Sequence, residues 1–275
     1  MFAQQLAINF PQPDGELIET WLNGRSESTA DHYRRAAMKF MRWIRKPLVW
    51  VEISDVQQWL DSLDSLSVSS RRCYLYSIRS LFKWLQQTGK VEKNPAALVS
   101  MPQQERNVRE RITTPEKIKE AIATETNNRD KLIMECLYYL GLRVSELCQL
   151  KWGDLSSSGV VTIRGKRNKL RHLKVPDWLA GKLEKLRGDD KTPIFPSRTG
   201  RHLDRHRVRK IIKAAGKRIN LPELSPHWFR HCHATHALAN GAPLPLLQKN
   251  LGHSDIRITA MYLHVNPNEG SGDYL

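Results

Sequence analysis

Between Asp14 and Gly89 apolar residues return every three or four positions, the spacing that lays them along one face of a helix. Asp14 to Asn23 carries Leu17, Ile18, Trp21 and Leu22 in that register and is closed by Gly24. Ser28 reads as the N-cap of a longer helix whose stripe is Tyr33, Ala37, Phe40, Met41 and Ile44. At about 100° per residue, Arg35, Lys39 and Arg42 fall on its opposite face. Ser54-x-x-Gln57 has the form of a capping box opening a short helix with Val56, Trp59, Leu60 and Leu63. A fourth helix is expected from Ser69 to Gly89. Its stripe is Tyr74, Ile78, Leu81, Phe82 and Leu85, with Arg72, Tyr76, Arg79 and Lys83 opposite.

The pattern breaks over residues 94–112, NPAALVSMPQQERNVRERI, which hold two prolines and then turn polar and basic. The expected organisation is a helical domain over residues 1–100, a linker over 101–111 and a second domain over 112–275. Thr114-Pro115-Glu116 restarts helix with an N-cap, a proline at the first helical position and an acid in the first turn. Residues 129–151 continue as helix, interrupted at Gly141. Val160–Arg164 and Arg171–Val175 read as a β-hairpin around the tip GKRNK. From Leu203 to Asn220, Val208, Ile211, Ile212, Ala215 and Ile219 share one arc of a helix. His206, Arg209, Lys210, Lys213 and Lys217 fill the other arc, and Arg198, Arg201, Arg205 and Arg207 crowd its approach.

Charge then sorts the two halves. The formal net charge is +16, and residues 1–105 hold 13 Lys and Arg against 11 Asp and Glu, while residues 106–275 hold 31 against 17. Such an excess points to a polyanionic partner, with the two basic helix faces of the first half and the 198–213 patch as its contacts. A hydrophobic content of 40% with eight tryptophans argues for packed cores rather than disorder. No apolar run approaches the roughly 20 residues that span a bilayer. Four scattered cysteines without a C-x-x-C pair fit a reducing cytoplasm.

The candidate chemistry lies at Arg143 (in GLRVSEL), Lys166 (GKRNK), His227 and Arg230 (LSPHWFRH), His253 and Tyr262 (LGHSDIRITAMY). In-line attack on a phosphodiester builds charge on the non-bridging oxygens, which planar, permanently charged arginines suit best. His227 and Arg230, three residues apart, share a helix face and can address one phosphate. Arg143 stands three residues before Glu146, so an intrahelical pair and a phosphate contact are both open, and they are compatible. A hairpin-tip lysine beside arginines has its pKa lowered, which suits Lys166 to protonating a departing sugar oxygen, with Lys169 as rival. Tyr262 is the nucleophile candidate: it lies roughly 120° from a stripe of Ile256, Ala260 and Leu263, which takes it off the expected core face. The run His231-x-His233-x-x-His236 with Cys232 lacks a second ligand cluster at zinc-finger spacing, so no metal or cofactor is expected.

In order and spacing these motifs resemble the tyrosine recombinase (phage integrase) family, in particular its short Xer-like members, over residues 14–266. The resemblance implies a mainly α fold with a small β component. A SAM-like four-helix core-binding domain and a mixed α/β catalytic domain would form a clamp on duplex DNA. It implies that Arg143 and Arg230 bind the scissile phosphate, Lys166 is the general acid and His227 assists proton transfer. His253 would hold the phosphate and Tyr262 form a 3′-phosphotyrosine. Partners implied are duplex DNA at a specific recombination site and a tetramer of the chain on two sites, with a second recombinase or activator open. The setting would be the cytoplasm, at the nucleoid. Arg167 and Leu140 depart from the residues common at those positions, as does the short polar tail after Tyr262. A type IB topoisomerase-like strand transferase and a catalytically silent DNA clamp are the alternatives.

Overall fold

The computed structural model describes residues 12–103, 112–165 and 169–263, and its contacts divide the chain into two units, residues 1–106 and 107–275. The first unit holds α1 (Gln12–Leu22), α2 (Glu27–Ile44), α3 (Ile53–Asp61) and α4 (Val68–Gln87). Their apolar stripes meet around Phe40, whose ring lies edge-on to Trp59 at 5.0 Å and to Phe82 at 6.1 Å. Phe40, Trp59, Ile78, Leu81, Phe82 and Leu85 are fully covered. Truncating one such aromatic to Ala costs about 3–5 kcal/mol, because the cavity adds to the lost transfer energy.

Two helix starts differ from the sequence expectation. The N-cap of α2 is Ser26, not Ser28, and its hydroxyl pairs with that of Thr29 at 2.8 Å. The helix α3 is boxed by Glu52 and Asp55 rather than Ser54 and Gln57. Asp55 accepts from the Glu52 N–H at 2.7 Å and pairs with Lys46. A carboxylate at a helix N-terminus gains from the macrodipole as well as the hydrogen bond, which the Gln57 amide does not. Gln57 bonds Asp61 instead, at 2.9 Å. The segment after α4 stays with this core, into which Ala96 and Val99 pack. Arg79 fastens it by donating to the carbonyls of Ala96 and Val99.

The second unit runs through α5 (Pro115–Ala123), α6 (Asn128–Tyr139), α7 (Val144–Gln149), β1 (Val160–Arg164) and β2 (Leu170–Lys174). It continues with α8 (Asp177–Glu184), α9 (Arg205–Arg218), α10 (Pro226–Ala239), α11 (Leu244–Leu251) and α12 (Ile256–Ala260). Thr114 caps α5, accepting from the Lys117 N–H, with Pro115 in the first turn. The helix α6 is covered on nearly every side, by α5, α7, α8, α9 and α10. Its buried Glu135 is matched by Lys182 at 2.6 Å. The strands pair antiparallel with Ile163 opposite Arg171. The second strand begins one residue earlier than expected, and its inward positions are Arg171 and Leu173. On α9 the expected arc of Val208, Ile211, Ile212, Ala215 and Ile219 is buried. Among the described residues no helix is long and apolar enough to cross a membrane.

Candidate active site

Two left-handed glycines shape the backbone around the site. Gly141 has φ +59°, and a Cβ there would stand 2.5 Å from the His233 ring, so only glycine can end α6 this way. Its carbonyl accepts from Arg230 Nη1 at 2.6 Å. Gly252, φ +65°, closes α11 within reach of the Arg171 side chain. The preceding carbonyl, of Leu251, accepts from Arg230 Nη2 at 2.6 Å. The buried Arg230 on α10 thereby ties the end of α6 to the end of α11. Burial, reinforced by the charges of Arg143 and Arg171, lowers its pKa to about 10, so it stays protonated at neutral pH.

Glu146 collects the other two guanidinium groups. Arg171 donates from Nη1 to Oε1 at 2.9 Å and from Nη2 to Oε2 at 2.7 Å, and its Nε donates to the Asn250 carbonyl at 2.8 Å. Arg143 donates from Nη1 to Oε1 at 2.8 Å, and its backbone N–H to Oε2 at 2.9 Å. Burial alone would raise the Glu146 pKa, but the hydrogen bonds and charge of Arg171, aided by those of Arg143, bring it below the ordinary value. The Arg143 side chain is still 37% exposed, against 5% for that of Glu146. Pairing with Glu146 therefore fixes Arg143 without sealing it from a ligand. Three guanidinium groups around one carboxylate leave an excess of about two positive charges, an arrangement suited to an oxyanion.

His253 accepts through Nε2 from Arg230 Nη2 at 3.1 Å. An arginine offers no acceptor, so the proton of the imidazole sits on Nδ1, which donates to the hydroxyl of the fully buried Thr259 at 3.0 Å. Burial, then the charges of Arg230, Arg143 and Arg171, push its pKa down to about 4 and keep it neutral. His227 is exposed in the first turn of α10, its ring 6.5 Å from that of His231. Lys166, the expected acid at the hairpin tip, lies outside the described residues, as does the tail after Leu263.

The face expected for Tyr262 is reversed. Its ring is buried, 4% exposed, with Ala234, Leu247 and Leu251 around it, while Ile256, Ile258 and Leu263 are 44%, 41% and 49% exposed. The helix α12 is only five residues long and ends before Tyr262. A turn with Tyr262 N–H donating to the Thr259 carbonyl at 3.1 Å follows, so a 100° step carried past Ala260 points the wrong way. The Tyr262 hydroxyl lies 2.7 Å from His231 Nδ1. Burial raises the phenol pKa, offset in part by the charges of Arg230 and then Arg143, which are near enough to act on it.

Sequence reasoning passed over Arg171, Thr259 and the link from His231 to Tyr262. Arg171 alone left a trace, as a cation on the same strand phase as Leu173 and Val175. Elsewhere in the run, His236 bridges the Tyr138 hydroxyl and the Thr113 carbonyl, at 2.8 and 2.9 Å.

The basic residues divide. On α9 and its approach Arg198, Arg201, Arg205, Arg209, Lys210 and Lys213 are exposed, and Arg207 comes to 3.9 Å from Asp130. In the first unit Arg42 and Lys83 are exposed. Arg35 pairs with Asp31 at 2.9 Å, and Lys39 sits 5.2 Å over the Tyr74 ring. Arg72 donates to the Pro102 carbonyl at 2.6 Å beneath the exposed Tyr76. Arg79, given its two carbonyls, is a structural tie rather than part of an open basic face.

The Phage integrase family matches residues 111–269, and the Phage integrase N-terminal SAM-like domain matches residues 20–89. A tyrosine recombinase of Thermosipho africanus is 31% identical over 257 residues, covering 89% of this chain and 91% of that protein. A XerD tyrosine recombinase of Staphylococcus haemolyticus is 32% identical over 264 residues, covering 88% and 90%. In fold, the chain is similar to lambda integrase bound as a dimer to a COC′ core site, with a TM-score of 0.77 at 17% identity, covering 94% and 97%. It is also similar to XerH recombinase in a post-cleavage complex with a palindromic difH substrate, with a TM-score of 0.75 at 18% identity, covering 93% and 81%.

Proposed function

The chain belongs to the phage integrase family, as a Xer-like tyrosine recombinase, and from that premise we propose how its residues carry out site-specific recombination of duplex DNA. The observation that carries the reading is a cluster of three guanidinium groups around a single carboxylate, two of them bonded to it and the third, of Arg230, within reach of its charge, with a buried phenol close enough to feel two of the three. A phosphodiester brings one negative charge. The phosphorane formed by in-line attack carries about one more, so an excess of two cations favours the transition state over the ground state.

In this reading Arg143 and Arg230 grip the scissile phosphate, and Tyr262 attacks to give a 3′-phosphotyrosine. Lys166 protonates the departing 5′-oxygen, and His227 assists proton transfer. His253 reaches the phosphate in its other neutral tautomer: Nδ1 accepts from the Thr259 hydroxyl, and Nε2–H, released from Arg230, donates to a phosphate oxygen. The ester keeps the energy of the broken bond, so a second 5′-hydroxyl can displace the tyrosine without ATP, and the chain supplies its own cations. Strand exchange through a Holliday junction requires two sites and four copies of the chain, with a second recombinase or an activator as further candidates. Arg198, Arg201, Arg205, Arg209, Lys210 and Lys213, with Arg35, Lys39, Arg42 and Lys83 of the first unit, are proposed to follow the DNA backbone.

A nicked suicide substrate tests this, since loss of the short downstream strand traps the covalent adduct. The unaltered chain is expected to form adduct on its own target duplex, and Tyr262→Phe to bind that duplex without forming any. Adduct surviving in Tyr262→Phe would refute the assignment.

A further inference from the structure

The motifs that carry the family resemblance give His231 no role, yet its Nδ1 is the atom 2.7 Å from the Tyr262 hydroxyl, with the two rings 5.6 Å apart. We propose that His231 holds the Tyr262 hydroxyl and accepts its proton as the phenolic oxygen attacks phosphorus. This rests on the reading of Tyr262 as nucleophile. In the cleavage step the bond from the Tyr262 oxygen to phosphorus forms and the bond from phosphorus to the 5′-oxygen breaks. The phenolic proton passes to Nδ1, leaving an imidazolium, and the 5′-oxygen takes its proton from the general acid. In rejoining, an incoming 5′-hydroxyl gives its proton to the now deprotonated general acid as its oxygen bonds phosphorus, the bond from phosphorus to the Tyr262 oxygen breaks, and His231 returns its proton to the phenolate.

The surroundings favour this role over simple packing. The ring packs against Ala234, Leu247 and Leu251, and its part-buried hydroxyl, bonded to His231, would be costly without an acceptor. Burial raises the phenol pKa, and the charges of Arg230 and Arg143 recover only part of that rise. A phenol held this way reacts at neutral pH only if something takes its proton. One turn earlier on α10 stands His227, exposed, its ring 6.5 Å from that of His231. The charged and titratable groups facing the pair are His227 and Arg230 on the same helix, His253 from the loop after α11, and Arg143 at the start of α7.

The test is the rate of adduct formation on a suicide duplex, followed against pH for the full chain, His231→Asn and Tyr262→Phe. Asparagine keeps an oxygen near the position of Nδ1 that can accept a hydrogen bond but takes no proton. His231→Asn is expected to bind DNA within about twofold of the parent and to form adduct about 10²–10⁴-fold more slowly. The imidazole-controlled rise of rate with pH should vanish. Fluorotyrosine at position 262, a phenol of lower pKa, should restore a large part of the rate in His231→Asn. Adduct at the parental rate and with the parental pH profile in His231→Asn, while Tyr262→Phe is dead, would overturn the role of His231 alone. Adduct from Tyr262→Phe would overturn the nucleophile beneath it. If His231→Asn fails to fold, fluorotyrosine in the otherwise unaltered chain decides. The acid limb of the profile staying in place supports the proposal, and a limb that shifts downward with the phenol overturns it.

Discussion

Arg171 and Glu146 face each other fork to fork, at 2.9 and 2.7 Å, with side chains only 8% and 5% exposed. A pair this covered recovers its desolvation cost only while both partners stay charged and fully bonded. Glu146 also holds Arg143 by backbone and side chain. One carboxylate thus sets the positions of a phosphate-binding candidate, the second strand and, through Arg171 and the Asn250 carbonyl, the turn that presents His253.

Glu146→Gln removes the carboxylate that bonds Arg143 and Arg171. It is expected to destabilise the chain by about 3–5 kcal/mol, the usual consequence of leaving a buried cation unmatched. Sulfate should then stabilise the variant more than the parent, because an oxyanion can settle among the freed guanidinium groups. Urea unfolding of both proteins, with and without sulfate, measures the two effects. A loss under about 1 kcal/mol would mean that the cations do not depend on this carboxylate.

Thr259 links the segment that carries Tyr262 to His253, since its hydroxyl receives His253 Nδ1–H one turn before Tyr262. Thr259→Val keeps the shape and leaves that N–H without its acceptor, a cost of about 1–3 kcal/mol. His253 is then expected to turn away and cleavage to slow by roughly tenfold or more, a factor of ten for each 1.4 kcal/mol. DNA affinity, governed by exposed cations elsewhere, should be unchanged, and Thr259→Ser should recover most of the rate. Equal rates in Val and Ser variants would remove the hydroxyl from the argument.

His253 and His233 both have folded pKa values lowered to about 4, chiefly by burial, against about 6.5 in an unfolded chain. Between those values the unfolded chain binds protons that the folded chain refuses. Stability therefore rises with pH through this window and is fully present above it. Lowering the pH from 7 to 5 should depress Tm by several degrees, and unfolding at pH 5 should take up more than one proton. The raised carboxyl of Asp14 in the first unit works against this trend. A Tm that stays level or climbs on acidification would contradict the burial of these two imidazoles.

The helices of the first unit were legible because each has one dry face, and Phe40, Ile78, Leu81, Phe82 and Leu85 lie where a 3.6-residue period puts them. Their starts were less so, because several side chains near Ser28 and Ser54 can cap and only the folded chain selects among them. Arg143 and Arg230, the two arginines proposed to grip phosphate, could be read from motif and order. Glu146, three residues past Arg143, could be read as its partner, but the side chains that complete the arrangement could not. Arg171 lies among other cations, Lys169 and Lys174, and only its inward phase on the strand sets it apart. His231 is one histidine in a run of three, and nothing local shows that its ring meets a residue 31 positions away. Tyr262 was misplaced because a five-residue helix is too short to carry its own phase into the next turn.

The outer face of α9 supplies the last expectation. Arg209, Lys210 and Lys213 are exposed opposite a buried arc of Val208, Ile211, Ile212 and Ala215, so they can be replaced without disturbing the core. Each cation seated on a phosphate releases condensed counterions, and the logarithm of affinity falls against the logarithm of salt with a slope of about 0.9 per contact. The triple alanine variant is expected to bind every duplex more weakly at low salt and to lose up to about three from that slope. Base preference should stay as it was, because phosphate contacts position the protein and carry no sequence. Titrations of the parent and the variant against one duplex at several salt concentrations give both slopes. Parallel lines would take this face out of the interface and leave Arg198, Arg201 and Arg205 to account for the affinity.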